Sequence, residues 1–202
     1  MQKYAEKYYT PQEYLALEEG AEYRSEYYKG EIFAMAGASK NHNRIIGNLY
    51  LKLSASLADS KCEAFMTEMK VWIEEKDLFT YPDLVVVCGK SEFYPERDDT
   101  ITNPIVIIEV LSDSTRNYDR VEKFEFYRAL PTFQEYVLVD QYRIHVEHFY
   151  LEDKGKWIYT DYSDKNDVLK FHNIAFQISI KDIYNRVDFK QEDNIKSLRP
   201  SI

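Results

Sequence analysis

The sequence predicts an α/β fold with a mixed (α+β) sheet: a central mixed β-sheet flanked by helices, continued by an antiparallel β extension. Three observations carry this. Residues 84–87 (LVVV) and 105–108 (IVII) are near-continuous apolar runs, as strands covered on both faces read. The strand-like EYVLVD, 135–140, follows a helical segment at once, so a right-handed crossover should set two neighbouring strands parallel. RIHVEHFYLE, KWIYTDYS and IAFQIS alternate apolar with polar, the pattern of antiparallel strands with one solvated face.

At 202 residues the chain suits one domain, expected over 1–187, with a polar tail at 188–202. Thr10-Pro11-Gln12-Glu13 supplies an N-cap, a first-turn proline and a capping-box acid for a helix reaching about Glu19. Residues 22–36 alternate on both sides of Lys29-Gly30, a hairpin that opens its second strand with Glu31. Ser39 caps a helix over Asn41–Ala58, where Ile45, Ile46, Leu49, Leu53 and Leu57 recur at helical spacing. Strand-like segments follow near 63–74, 80–88 and 104–111, with the charged loop SEFYPERDDT before the last. Tyr118–Ala129 is helical again, with Val121, Phe124, Phe126 and Tyr127 as its apolar side and Pro131 as its stop. DIYNRV closes the domain as a helical turn, and there is no internal repeat.

Composition limits the function. A net charge of −9 argues against broad non-specific adhesion to nucleic acid or an anionic membrane, while leaving room for a local basic groove. Eighteen Tyr and eleven Phe suit half-buried sheet faces or a self-association surface. Cys62 and Cys88 lie far apart without CxxC or Cys/His spacing, so neither a zinc site nor a disulfide is expected, and a cytoplasmic location fits. No apolar run approaches the roughly 18 residues that span a bilayer.

One residue breaks the pattern. Glu109 stands inside IVIIEVL, and taking an unpaired carboxylate out of water costs on the order of several kcal/mol, so it is usually paired, protonated or bound to a metal. Asp83, in Tyr81-Pro82-Asp83, sits at the mouth of the preceding apolar strand, and adjacent strands lie only about 4.8 Å apart. Two converging carboxylates without Cys or His nearby form a hard donor set suited to Mg or Mn.

Pro82-Asp83 on one strand and Glu109-Val110-Leu111 on the next resemble the PD-(D/E)xK nuclease superfamily, except that Leu111 stands where that pattern has lysine. The stretch IIEVLSDSTRNYDRVEKFEFYRALPTFQEYVLVD is similar to its Uma-two restriction-endonuclease branch, with a serine-rich turn (Ser112, Ser114) and a helix bearing Asp119, Lys123 and Tyr127. The hairpin's Gly30-Glu31 and a helix opening with His42 match the same branch, and the likeness spans roughly residues 10–185. It implies a restriction-endonuclease-like core and Mg- (or Mn-) dependent hydrolysis of DNA. In that reading Asp83 and Glu109 are catalytic and, with the Val110 carbonyl, ligate the metal. Lys123 replaces the missing lysine from the helix, and Glu31, His42, Asp119 and Tyr127 are accessory.

Arg116 and Arg120, beside Lys123 and Arg128, form a short positive strip and, with Ser112 and Ser114, are the candidates for phosphate contact. A homodimer is expected because duplex cutting needs two sites. Each residue also has a structural reading: Glu109 paired with a buried cation, Lys123 solvated, Asp119 favoured by the helix dipole, Tyr127 a core side chain, the serines in turn hydrogen bonds. His145 and His148, on a late alternating strand, are assigned to structure. Two other functions stand beside the nuclease: a non-cutting binding or assembly module of the same fold, and a hydrolase of a small phosphate ester.

Overall fold

The computed structural model describes residues 7–35, 37–113 and 115–189. Helix α1 (Pro11–Glu19) is capped by Thr10, whose hydroxyl accepts from Glu13 N while the Glu13 carboxylate accepts from Thr10 N. β1 (Ser25–Tyr28) and β2 (Glu31–Ala34) form the expected hairpin, with Lys29 and Gly30 at positive φ in its turn. Helix α2 (Lys40–Leu57) is capped by the Ser39 hydroxyl, which accepts from His42 N at 3.1 Å.

Two segments expected as single strands are each two. β3 (Cys62–Met66) and β4 (Lys70–Ile73) break at Thr67, which has φ +38°; β5 (Leu78–Thr80) and β6 (Leu84–Cys88) break at Pro82. At both breaks the chain crosses from one sheet to another. β2-β1-β5-β4 and the short β7 (Thr100–Ile101), which lies within the charged loop, make a five-stranded sheet. β8 (Val106–Leu111), β9 (Glu135–Asp140), β10 (Val146–Glu152) and β11 (Lys156–Tyr162) join β3 and β6 in a six-stranded mixed sheet, ordered β11-β10-β9-β8-β6-β3. β8 and β9 are parallel, as the crossover requires. IAFQIS does not extend this sheet: β12 (Val168–Lys170) and β13 (Gln177–Ser179) form a ribbon of their own, followed by α5 (Ile180–Ile183).

The parity of the strands sorts the core. Leu84, Val86, Ile108, Val137 and Val139 face α2 and its Ile45, Leu49 and Leu53. Val85, Ile107, Leu111 and Leu138 face the other way, onto Tyr127, Phe133 and, from the second sheet, Val71, Ile73 and Leu78. Each such fully buried side chain contributes about 1.5–3 kcal/mol. Glu109 falls on the second face, between Ile107 and Leu111.

The crossover helix departs from its expected form. It is α-helical at α3 (Arg116–Tyr118), a π-helical turn over Asp119–Lys123, and α-helical again at α4 (Phe124–Tyr127). Val121, expected on its apolar side, is 63% exposed, whereas Asp119 and Lys123 are buried. The helix presents charge to the sheet because the sheet presents Glu109 to the helix.

Cys62 and Cys88 are disulfide-bonded, contrary to expectation. They lie directly opposite each other in the β3–β6 register, a pairing that sequence spacing does not reveal. Among the described residues no helix is long and apolar enough to cross a membrane. Asp188, at the start of the polar tail, docks on Asn41 of α2 through two hydrogen bonds, and residues 190–202 lie outside the described residues.

A second buried carboxylate serves the fold. Glu135 accepts from His148 Nε2 at 2.6 Å and from the backbone N–H groups of His172 and Asn173 at 2.9 and 3.0 Å, tying the 171–174 loop to the sheet. The structural assignment of His148 is thereby given its partner. Replacing Glu135 by Ala strands these donors, so we expect Glu135→Ala to lose about 3–5 kcal/mol in denaturant unfolding, and Glu135→Gln clearly less.

Candidate active site

β6 and β8 run antiparallel with Leu84 opposite Ile108, so one step further Asp83 comes opposite Glu109. The two residues interlock. Val110 N donates to Asp83 Oδ2 at 2.7 Å, and Asp83 N donates to Glu109 Oε2 at 3.3 Å. Asp83 is held from the other side as well, since Thr67 N donates to its carbonyl at 3.0 Å.

Glu109 is 4% exposed, and the helix answers it. Lys123 Nζ lies 3.0 Å from Glu109 Oε1, and the Tyr127 hydroxyl donates to the same oxygen at 2.8 Å. The ammonium is also 3.5 Å from Asp119 Oδ1 and 3.3 Å from Glu26 Oε1. Asp119, Lys123 and Tyr127 thus point inward together. Leu111, two residues beyond Glu109 on the same face, is fully buried in the apolar cluster. The ammonium beside Glu109 comes from the helix and not from this strand.

Glu26 was not anticipated. It lies on β1, one side of the hairpin, and accepts from the Thr80 hydroxyl and, at 3.4 Å, from Tyr81 N. The alternation of SEYY carried a usable signal, because it puts Glu26 on the same face as Tyr28, whose ring lies 5.1 Å from that of Phe126 on α4. Glu31 is corrected accordingly: it is exposed on β2, and the hairpin reaches Lys123 through Glu26 instead.

His42, in the first turn of α2, places Nε2 3.2 Å from Asp83 Oδ2. The expected phosphate contacts fare unevenly. Arg120 is committed to Glu147, with its Nε and one terminal nitrogen 2.8 and 2.5 Å from the same oxygen. Arg116 stacks over Tyr142 and lies 3.7 Å from both Asp113 and Asp140. Ser112 shares a hydrogen bond with the Thr115 hydroxyl and accepts from Thr115 N, the turn role weighed for it above. Ser114 lies outside the described residues.

Electrostatics follow from burial. Desolvation, reinforced by Asp119 and Asp83 and opposed by Lys123, pushes the Glu109 carboxyl up to about 8. Asp119 is raised for the same leading reason. Burial works to lower Lys123, but Glu109, Glu26 and Asp119 outweigh it and hold the ammonium well above its ordinary range. Burial and the Glu109 charge likewise keep Tyr127 protonated.

Three carboxyl groups, Glu26, Glu109 and Asp119, lie within 3.5 Å of one ammonium, and Asp83 adjoins Glu109, more acidic groups than cations and a set that suits a bound cation. Among the described residues no three Asp, Glu, His or Cys side chains are grouped closely enough to cage one. That is compatible with Mg, which is commonly held by one or two carboxylates together with water and substrate phosphate. Among the described residues Asp83 Oδ1 accepts no hydrogen bond and Glu109 Oε2 accepts one, from Asp83 N.

The layered mixed sheet with two carboxylates interlocked across β6 and β8, and a helix lysine closing on them, defines a restriction-endonuclease-like α/β protein. The chain belongs to the family described as "Putative restriction endonuclease" (Uma2), which it matches over residues 11–181. Two relatives from Synechocystis, the uncharacterized proteins sll1609 and slr1290, are 39% and 33% identical over 165 and 180 residues. These matches cover 82% and 89% of this chain and 93% of each relative. A crystal structure from Anabaena variabilis, titled as a putative nuclease of the DUF820 group, superposes with a TM-score of 0.71 at 19% identity. It spans 87% of this chain and 97% of its own, so the fold is shared over that span.

The raised Glu109 carboxyl has a signed consequence. Between its ordinary value of 4.5 and about 8, the folded protein holds a proton that the unfolded chain has released. Stability without divalent ions should therefore fall as pH rises through that window. Thermal melts from pH 5 to 8 should show this slope in the wild type and a flatter one in Glu109→Gln. An identical slope in both would remove Glu109 as its source.

Proposed function

We propose that the protein is a Mg- or Mn-dependent endonuclease that hydrolyses DNA phosphodiester bonds, working as a homodimer. The observation that carries this reading is the Lys123 ammonium 3.0 Å from Glu109, on the strand face where Leu111 leaves no ammonium of its own. Asp83 and Glu109, with the Val110 carbonyl, would hold the ion. When bound, it supplies Lewis-acid polarisation of the phosphate and a water of lowered pKa.

The chain's own groups have narrower tasks. Lys123 is held protonated, so it does not serve as a general base; it stabilises negative charge building on the phosphate oxygens. Tyr127, a fixed donor to Glu109 Oε1, keeps that oxygen turned to the helix and the other toward Asp83. Asp119 and Glu26 fix the ammonium from two further sides. Arg116, half-buried on its helix turn beside Ser112, is the phosphate contact we assign outside the cluster, and binding through it should weaken with salt.

One observation favours a second reading, a non-cutting binding module. Every side chain of the cluster is 15% exposed or less, and Lys123 is already satisfied by three carboxylates. Such a cluster could serve the fold alone. The two readings part in a cleavage assay on supercoiled plasmid and single-stranded DNA with Mg or Mn. We expect cleavage by the wild type and a loss on the order of 100-fold or more in Asp83→Ala, Glu109→Ala and Lys123→Ala. Glu31→Ala should cut at the wild-type rate. Cleavage that survives Glu109→Ala would refute the mechanism, and a wild type that cuts nothing would favour the module.

A further inference from the structure

The contacts around Asp83 leave its two oxygens in different states. Oδ2 accepts from Val110 N at 2.7 Å and faces His42 Nε2 at 3.2 Å, while Oδ1 has no hydrogen bond to any described residue. Val110 N alone leaves the carboxylate free to turn about its terminal bond. The His42 imidazole nitrogen, 3.2 Å from the same oxygen and carried by another element, restricts that turn.

His42 is itself held. Its backbone N–H donates to the Ser39 hydroxyl at 3.1 Å; Ser39 in turn hydrogen-bonds Gln141, and Gln141 Nε2 donates to the Leu111 carbonyl at 2.9 Å. The backbone of His42 is thus tied to the same strand, β8, that supplies Glu109 and Val110. A closed loop of contacts runs from Val110 N through Asp83, His42, Ser39 and Gln141 back to Leu111 O.

Nε2 lies within ion-pair reach of the Asp83 carboxylate, and Nδ1 is buried without a hydrogen-bond partner among the described residues. Capping α2 needs only the backbone of residue 42, so the cap does not account for the ring's position; the contact with Asp83 does.

We infer that His42 is a positioning residue: it orients the Asp83 carboxylate so that Oδ1 faces the divalent ion, without itself touching ion or substrate. The inference rests on the proposed metal site and adds the residue that presents one of its two ligands. Hydrogen-bonded partners of ligating carboxylates are worth about 10- to 100-fold in metal affinity. A glutamine can offer an amide N–H near the place of Nε2 and so keep the function; a leucine keeps bulk and loses the donor.

The test is Mn binding, followed by the electron paramagnetic resonance of free Mn during titration of the wild type, His42→Leu, His42→Gln and Asp83→Ala, with a thermal melt of each. We expect the wild type to bind, Asp83→Ala to lose binding, His42→Leu to bind about 10- to 100-fold more weakly, and His42→Gln to stay close to the wild type. If His42→Leu binds as tightly as the wild type, the inference fails and the metal site stands. It fails equally if His42→Gln melts like the wild type yet binds as weakly as His42→Leu. A wild type that binds no Mn overturns the site itself, and the positioning role with it.

Discussion

The structure depends on one constraint, a carboxylate on the buried face of a central strand. Glu109 has apolar neighbours on both sides along β8, and leaving it unanswered would cost about as much as one or two of the surrounding side chains contribute. Lys123, Tyr127 and the backbone of Asp83 answer it together. The price is a second imbalance, because the helix that brings one ammonium also brings Asp119, and the hairpin adds Glu26. The resulting excess of acidic groups is the basis of the cation site proposed here.

That constraint accounts for local features that have no explanation alone. The crossover helix turns charged residues inward and Val121 outward, and it does so through a π-helical turn over Asp119–Lys123. Such turns are rare and occur often at functional sites. The breaks at Thr67 and Pro82 let the chain change sheets on either side of Asp83, so the residue is gripped at its carbonyl, its N–H and its carboxylate at once. A residue whose backbone is held at two points and its carboxylate at a third is preorganised.

Much of this was legible in the sequence because it is local or periodic. The β-branched runs gave β6 and β8, the strand–helix–strand order gave the parallel β8–β9 pair, and the charge inside IVIIEVL marked the site. The stepping of Asp119, Lys123 and Tyr127 located the helix face, although helical turns of two kinds build it. What was not legible depends on register between distant strands. The Cys62–Cys88 bond requires knowing that β3 and β6 pair in that alignment. The choice of Glu26 over Glu31 depends on which face of a two-stranded hairpin meets the helix, and a Gly-Glu pair in a turn does not state that. Arg120 read as part of a basic strip until β10 placed Glu147 beside it.

The account's central claim is that Glu109, Asp83 and Lys123 form one metal-dependent unit and not a structural ion-pair cluster. The most direct measurement is an anomalous difference map from crystals soaked in Mn. The account predicts a peak within oxygen-ligand reach, about 2.1–2.6 Å, of a carboxylate oxygen of both Asp83 and Glu109, with Lys123 still turned toward it. A well-ordered Asp83–Glu109–Lys123 cluster carrying no peak would contradict it.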